Sequence, residues 1–388
     1  MSDRDYYCSM KFRFLKVDLE KKTTYNCHAA QSHPIDLKWV SNNPGQLFNT
    51  DINVAERKMM LDNKRNPSCE QNCWPAEDVG AISPRLFQKG NIKTHFDPIT
   101  QPEIIDLTIG SDCNLTCSYC CKEYSSRWRK DILDNGDYAI TNSDDRYKKS
   151  QIDVVLQKTS QNKKKDSIQY QLFSQEIYAV KSTLKRLVIT GGEPFLDNGL
   201  IDIINTASET PLVSIYSGLG VSLTRFEQLI KKIAEYPNVE LIISAENIGK
   251  FLEFNRYGVK WKEFDLKIEL IKSAGIPFKF QCTLTNLTLF GFSEFYKHYK
   301  DIEMDIGYAY QPTSMAPYVL DDQSKQDILE QLKEVPDIEN IRASMEQTPS
   351  DMQRLNIKEF LTEFTQRRKG IDISMFPSSF LNWINYVV

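Results

Sequence analysis

No stretch of the 388 residues approaches the roughly 18 consecutive apolar residues that a membrane-crossing helix needs. The polar N-terminus does not read as a signal peptide. Neither sign of charge dominates. The chain has 48 Lys and Arg against 52 Asp and Glu, a net charge of −4 and a pI near 5.8. That balance gives no global attraction to nucleic acid or to an anionic membrane. The run Lys163-Lys164-Lys165 lies in polar sequence and reads as a solvated loop. Histidine is scarce, and none of His28, His33, His95 and His298 is placed as an acid or base. What is present is 41% hydrophobic residues, enough for the cores of two or three domains. There are also nine cysteines. In a large chain with no export signal, these read as thiols kept reduced for metal binding in a cytoplasm, not as disulfides.

Three of the nine stand in the run Cys113-Asn-Leu-Thr-Cys117-Ser-Tyr-Cys120. Three thiolates on one short loop can hold three irons of a cubane cluster and leave the fourth iron without a protein ligand, open to chemistry. Zinc suits the spacing poorly, because it wants four ligands, commonly as paired Cys-x-x-Cys knuckles. The preceding Ile105-Asp106-Leu107-Thr108-Ile109 alternates apolar and polar, which predicts a strand delivering the loop. Tyr119 is expected beside the metal, shielding it from water.

Downstream, Leu187-Val188-Ile189-Thr190 is a β-branched run that ends in Gly191-Gly192-Glu193-Pro194. The glycines allow a backbone to approach a ligand, the proline stops ladder pairing, and Glu193 presents a carboxylate. Alone this is an ordinary turn. Together with the cysteine triplet it resembles the radical S-adenosylmethionine (SAM) superfamily. The resemblance implies a partial (β/α)6 TIM-like barrel of α/β class. It also implies a 4Fe–4S cluster on Cys113, Cys117 and Cys120, SAM on the open iron, and Glu193 at the SAM amino group.

Cys8, Cys27, Cys69 and Cys73 precede this core, and four thiolates suffice for a complete cluster. The segments Leu47-Phe48-Asn49, Arg57 to Lys64 and Cys69-Glu-Gln-Asn-Cys73-Trp74 resemble the auxiliary-cluster (SPASM or twitch) domains of radical SAM enzymes. Here such a domain precedes the barrel, whereas in many relatives it follows. Zinc remains open for these four. Cys121 and Cys282 fit neither set: Cys121 is expected to point away from the cluster as a partly buried thiol, and Cys282 to lie in an apolar strand as core.

From about 102 to 312, strand and helix patterns alternate, as in a parallel sheet with outer helices. Strands are predicted at 104–110, 186–190, 212–216, 239–244, 278–284 and 304–310, with a capping box at Thr224-x-x-Glu227 opening a helix whose inner face is Phe226, Leu229, Ile230 and Ile233. The expected domains are 1–101 (auxiliary cluster), 102–312 (barrel) and 313–388, a helical extension packed back on the barrel. Residues 125–168 read as an insertion, either a lid over the barrel mouth or an exposed excursion.

The resemblance extends to strand ends. Tyr216-Ser217-Gly218 stands where relatives often carry Thr-Asn-Gly near SAM, and Ser244 matches a strand-end serine that meets the ribose. Asn255-Arg256-Tyr257-Gly258 resembles an Arg-x-Gly segment whose guanidinium suits the SAM carboxylate, and Thr283 and Thr285 would approach adenine. The implied cofactors are the SAM-binding 4Fe–4S cluster, SAM and an auxiliary 4Fe–4S cluster. The implied electron donor is a flavodoxin or ferredoxin. The implied reaction is reductive SAM cleavage to a 5′-deoxyadenosyl radical that abstracts hydrogen from a peptide, protein or small metabolite. Two alternatives stand beside it: carbohydrate or nucleoside dehydrogenation or epimerisation with the same parts, and a metal-stabilised interaction module without radical chemistry.

Overall fold

The computed structural model describes residues 6–28, 30–70, 72–81, 83–87, 97–141, 145–150, 152 and 168–385. His95 and the lysine run 163–165 lie outside them. The described strands are β1 (Phe14–Asp18), β2 (Thr23–Tyr25), β3 (His33–Pro34), β4 (Ile104–Thr108), β5 (Thr116–Cys117), β6 (Arg186–Thr190), β7 (Leu212–Ser217), β8 (Val239–Ser244), β9 (Arg256–Tyr257), β10 (Phe278–Leu284) and β11 (Met304–Tyr308). All six predicted strands form, within two residues at their ends. The fold class is the expected one: α/β, largely parallel strands of a partial TIM-like barrel, and a helical C-terminal region. Among the described residues no helix is long and apolar enough to cross a membrane.

The chain divides into two compact units. The first comprises Met1–Gly110, Gln161–Ile215 and Tyr236–Glu240. Its sheet is built around β4, which pairs in parallel with β1 on one side and β6 on the other, and β6 pairs in parallel with β7. The first hundred residues thus supply strands to this sheet, and β2 and β3 extend it antiparallel from β1. Period-two alternation explains its two faces. Ile105, Leu107, Leu187, Ile189, Val213 and Ile215 are fully buried on one face, each worth about 1.5–3 kcal/mol of transfer free energy. The other face is polar and internally bonded. There Lys16 reaches Asp106 at 3.0 Å, Thr190 Oγ1 donates to Asp106 Oδ1 at 3.1 Å, and Arg186 bridges Ser214 and Glu240 at 2.8 and 3.0 Å. On the helix Ile168–Val180, the buried Glu176 carboxylate accepts the backbone N–H groups of Gly45 and Leu47 at 2.6 and 2.8 Å. Burial pushes its pKa up to about 7 against those two bonds.

The second unit comprises Ser111–Ser160, Tyr216–Glu235 and Leu241–Val388. Within it the last residues of β8 pair in parallel with β10, and β10 with β11. The helix Leu223–Ile233 buries Phe226, Leu229, Ile230 and Ile233 as expected, but its cap is Ser222, not the anticipated Thr224. Ser222 has the extended backbone a cap requires and accepts the Arg225 N–H, while Thr224 is already inside the first turn. The described part of the 125–168 insertion is anchored by aromatic packing. Trp128, Tyr138 and Tyr147 stack with Phe360 of the helix Asp351–Gln366, with ring centroids 5.5–6.4 Å apart. That helix opens with a reciprocal capping box between Ser350 and Gln353.

Candidate metal centre

The cysteine triplet lies in the second unit on a loop held from several sides. Cys113 N–H donates to Ser126 Oγ, which returns a bond to the Cys113 carbonyl, at 3.0 and 3.1 Å. Ser125, the cap of the helix Ser126–Asn135, donates to the Leu115 carbonyl at 2.8 Å. Trp128 Nε1 donates to the Cys117 carbonyl at 3.0 Å. The loop also carries β5, whose two residues pair antiparallel with β9, so that Thr116 faces Tyr257 and Cys117 faces Arg256. Close packing on that side demands glycine. At Gly258, with φ +114°, a Cβ would meet the Asn114 carbonyl oxygen and the Leu115 side chain at 2.9 Å.

Burial raises the Cys120 thiol well above its ordinary value, and the neighbouring charges of Cys121, Cys117 and Cys113 add to the rise. Cys120 therefore lies within the field of both Cys113 and Cys117. Among the described residues no group of three or more His, Cys, Asp and Glu is placed to hold a single metal ion. A cubane makes a different demand, since each thiolate binds its own iron. Three free thiols on one braced loop match that demand, and among the described residues no fourth ligand completes a zinc site. Cys282 is buried, as expected of a core thiol, and Cys121 is buried too, more fully than the partly buried thiol expected there.

Beneath the triplet is a buried charge pair of which only one member was expected. Arg256, whose Arg-x-Gly context resembles a grip on the SAM carboxylate, pairs here with a carboxylate of the chain itself, that of Glu246, at 3.1 Å, with side-chain exposures of 4% and 1%. Its Nη2 also bonds Tyr119 Oη, and its Nη1 donates to Cys117 Sγ at 3.9 Å. Among the described residues Glu246 Oε1 and Arg256 Nε are buried with no hydrogen-bond partner. Glu246 was missed because nothing in Ser244-Ala-Glu246-Asn marks an acid as buried. Its one signal is its place two residues beyond a strand that ends in a predicted site residue. Asn255 and Asn247 brace the pair: Asn255 Nδ2 donates to Asn247 Oδ1 at 2.9 Å, and Ser118 Oγ donates to Asn255 Oδ1 at 2.9 Å.

Ser217, at the end of β7, is buried and accepts the Leu219 N–H on its Oγ at 2.9 Å. Ser244 is the last residue of β8 and is half-buried. Thr283 lies near the end of β10, while Thr285 is buried just past it and bonded to Thr288.

In the first unit, Gly191 and Gly192 continue β6 alongside Gly110, whose carbonyl accepts the Gly192 N–H at 2.9 Å. Glu193 is buried and caps the turn Pro194–Leu196 by accepting the Phe195 N–H at 3.1 Å. The same unit holds the other four cysteines, on three segments of the chain. Cys8, Cys69 and Cys73 are buried in one apolar cluster with Tyr7, Phe12, Met60 and Trp74. Burial pushes the Cys8 thiol up to about 11, with Cys27 and Cys73 adding to the rise. Cys69 is pushed to about 12 by burial, with Lys11 opposing and Cys73, Cys8 and Cys27 reinforcing. His28, next to Cys27, packs on Phe14 and directs Nδ1 toward Asp106 at 3.6 Å.

The family model described as Radical SAM superfamily matches residues 107–302. No curated protein matches the chain. Among solved structures, native anSMEcpe with bound AdoMet is 15% identical, with a TM-score of 0.38 over 61% of this chain and 61% of that one. Streptococcus suis SuiB bound to precursor peptide SuiA is 9% identical, with a TM-score of 0.37 over 84% of this chain and 70% of that one.

Proposed function

The chain belongs to the radical SAM superfamily, and from that premise we propose that it cleaves SAM reductively and abstracts hydrogen from a peptide, protein or small-metabolite substrate. The observation that carries this reading is the thiol triplet: Cys113, Cys117 and Cys120, all free thiols, on one loop braced by Ser125, Ser126 and Trp128. When bound, the cluster and SAM supply the electron and the carbon radical, chemistry that no side chain can perform. The chain's own residues hold, orient and shield. Cys113, Cys117 and Cys120 hold the cluster, and the Tyr119 ring covers it from water. Glu193 accepts hydrogen bonds from the SAM ammonium, with Gly191, Gly192 and Pro194 fixing the turn that presents it. Ser217 and Ser244 serve the ribose.

The four N-terminal cysteines hold a second, fully ligated cluster in this proposal, supported by the packing of Cys8, Cys69 and Cys73 into one apolar cluster. Its role is to accept electrons or to anchor substrate. The test is anaerobic incubation of the reconstituted, reduced protein with SAM. Release of 5′-deoxyadenosine that is lost when Cys113, Cys117 and Cys120 become Ala supports the reading. Intact release from that triple variant overturns it. Deuterium transfer from candidate substrates into 5′-deoxyadenosine then identifies the substrate class.

A further inference from the structure

The buried pair beneath the triplet does something that its packing alone does not require. Taking a guanidinium and a carboxylate out of water is costly, and an apolar pair of the same volume fills such a place equally well or better. Arg256 and Glu246 are nonetheless almost fully enclosed, at 4% and 1% exposure. The register of β5 on β9 sets Cys117 directly opposite Arg256, so the two side chains leave the ribbon as a cross-strand pair. The result is one guanidinium shared among Cys117 Sγ, Tyr119 Oη and Glu246 Oε2. Its backbone is fixed as well, because Ser118 N–H donates to the Asn255 carbonyl at 2.8 Å and extends the two-residue ribbon.

We propose that Arg256 and Glu246 are positioning residues that set the reduction potential of the cluster held by Cys113, Cys117 and Cys120. This rests on the triplet holding that cluster. Adding an electron makes the cluster more negative. A cation that donates an N–H to a ligating sulfur stabilises the reduced form and raises the potential. Glu246 opposes this by partly cancelling the same charge while it holds the guanidinium in place. The two members of the pair therefore act with opposite signs, although they are bonded to each other. Tyr119 completes the arrangement as the third partner of the same guanidinium, through its Oη.

That opposition is the test. Full-length wild type, Arg256→Lys, Arg256→Gln and Glu246→Gln are reconstituted anaerobically, and iron content and reduced EPR amplitude establish loading. Redox titrations without SAM then follow the signal that SAM perturbs when added afterwards, which separates this cluster from any other. Arg256→Gln is expected to lower the reduced-to-oxidised ratio at a fixed potential by about tenfold, equal to about 59 mV for a one-electron couple. Glu246→Gln is expected to raise it by a comparable factor, and Arg256→Lys to stay nearer wild type than Arg256→Gln.

A pair that only braces the loop gives loaded variants with unmoved potentials, or both shifted the same way. Either result overturns the inference while leaving the cluster assignment standing. If Arg256→Gln does not load, Glu246→Gln decides alone, and a potential that fails to rise overturns the inference. A triple cysteine variant that keeps the SAM-perturbed signal instead overturns the cluster assignment, and the inference falls with it.

Discussion

Adding one methyl group at Gly191 tests whether the turn that carries Glu193 is built by close backbone contact. A Cβ there would sit 2.7 Å from the Gly110 carbonyl oxygen and 3.5 Å from Gly110 N and Ile109 Cγ1, at a φ of +155°. The obstacle is backbone, so no side-chain rotation relieves it. The same oxygen accepts the Gly192 N–H at 2.9 Å. Moving it sacrifices a bond worth about 0.5–1.5 kcal/mol net. Overpacking adds about 1–3 kcal/mol, and the unfavourable φ adds about 1–3 kcal/mol more.

Gly275→Ala is the control. It also has a positive φ, +69°, but nothing lies within 4 Å of its Cβ. Only the left-handed backbone cost of about 1–2 kcal/mol applies there. Urea unfolding of the two full-length variants should show Gly191→Ala less stable than Gly275→Ala by at least about 1 kcal/mol. Its SAM affinity should fall as Glu193 is displaced, while that of Gly275→Ala should not. Equal stability of the two variants would refute the close-approach argument.

Glu193→Gln should load its clusters normally yet bind SAM at least about tenfold more weakly, because a charge-assisted hydrogen bond contributes roughly 1.5–3 kcal/mol; wild-type affinity by calorimetry would reduce Gly-Gly-Glu-Pro to a turn. Reconstituted wild type should bind about eight irons, and Cys69→Ala with Cys73→Ala should halve that, sparing uncoupled SAM cleavage while suppressing substrate turnover. Zinc in place of half the iron in wild type would remove the auxiliary-cluster proposal. Glu176 has a folded pKa raised to about 7 from an ordinary 4.5, so the folded state binds more protons than the unfolded one between those values. Stability should therefore fall as pH rises from about 5 to about 8. This fall should be shallower in Glu176→Gln, and parallel urea midpoints of the two proteins across that range would contradict it.

The six strands were legible because each is a β-branched or alternating run, and these local patterns survive in the fold. The contribution of Phe14–Asp18 was not, because its partner Ile104–Thr108 lies some ninety residues on and no local pattern encodes that pairing. The cap at Ser222 was misplaced by two residues because Ser and Thr both satisfy a cap, and backbone conformation alone separates them. The triplet and Gly-Gly-Glu-Pro were readable as contiguous motifs. Glu246 was not, since a lone acid beyond a strand looks like a solvated residue until burial is known. Arg256 was singled out by its resemblance to an Arg-x-Gly segment, but the Glu246, Tyr119 and Cys117 contacts that it makes could only be seen in three dimensions.

The most direct measurement of the central claim is the EPR spectrum of reduced, reconstituted protein before and after SAM is added. A cluster with three cysteine ligands has an open iron, and one with four has none. The account predicts that SAM shifts one signal only, and that this signal disappears when Cys113, Cys117 and Cys120 are changed to Ala. A spectrum indifferent to SAM, or a SAM-responsive signal that survives in the triple variant, would contradict it.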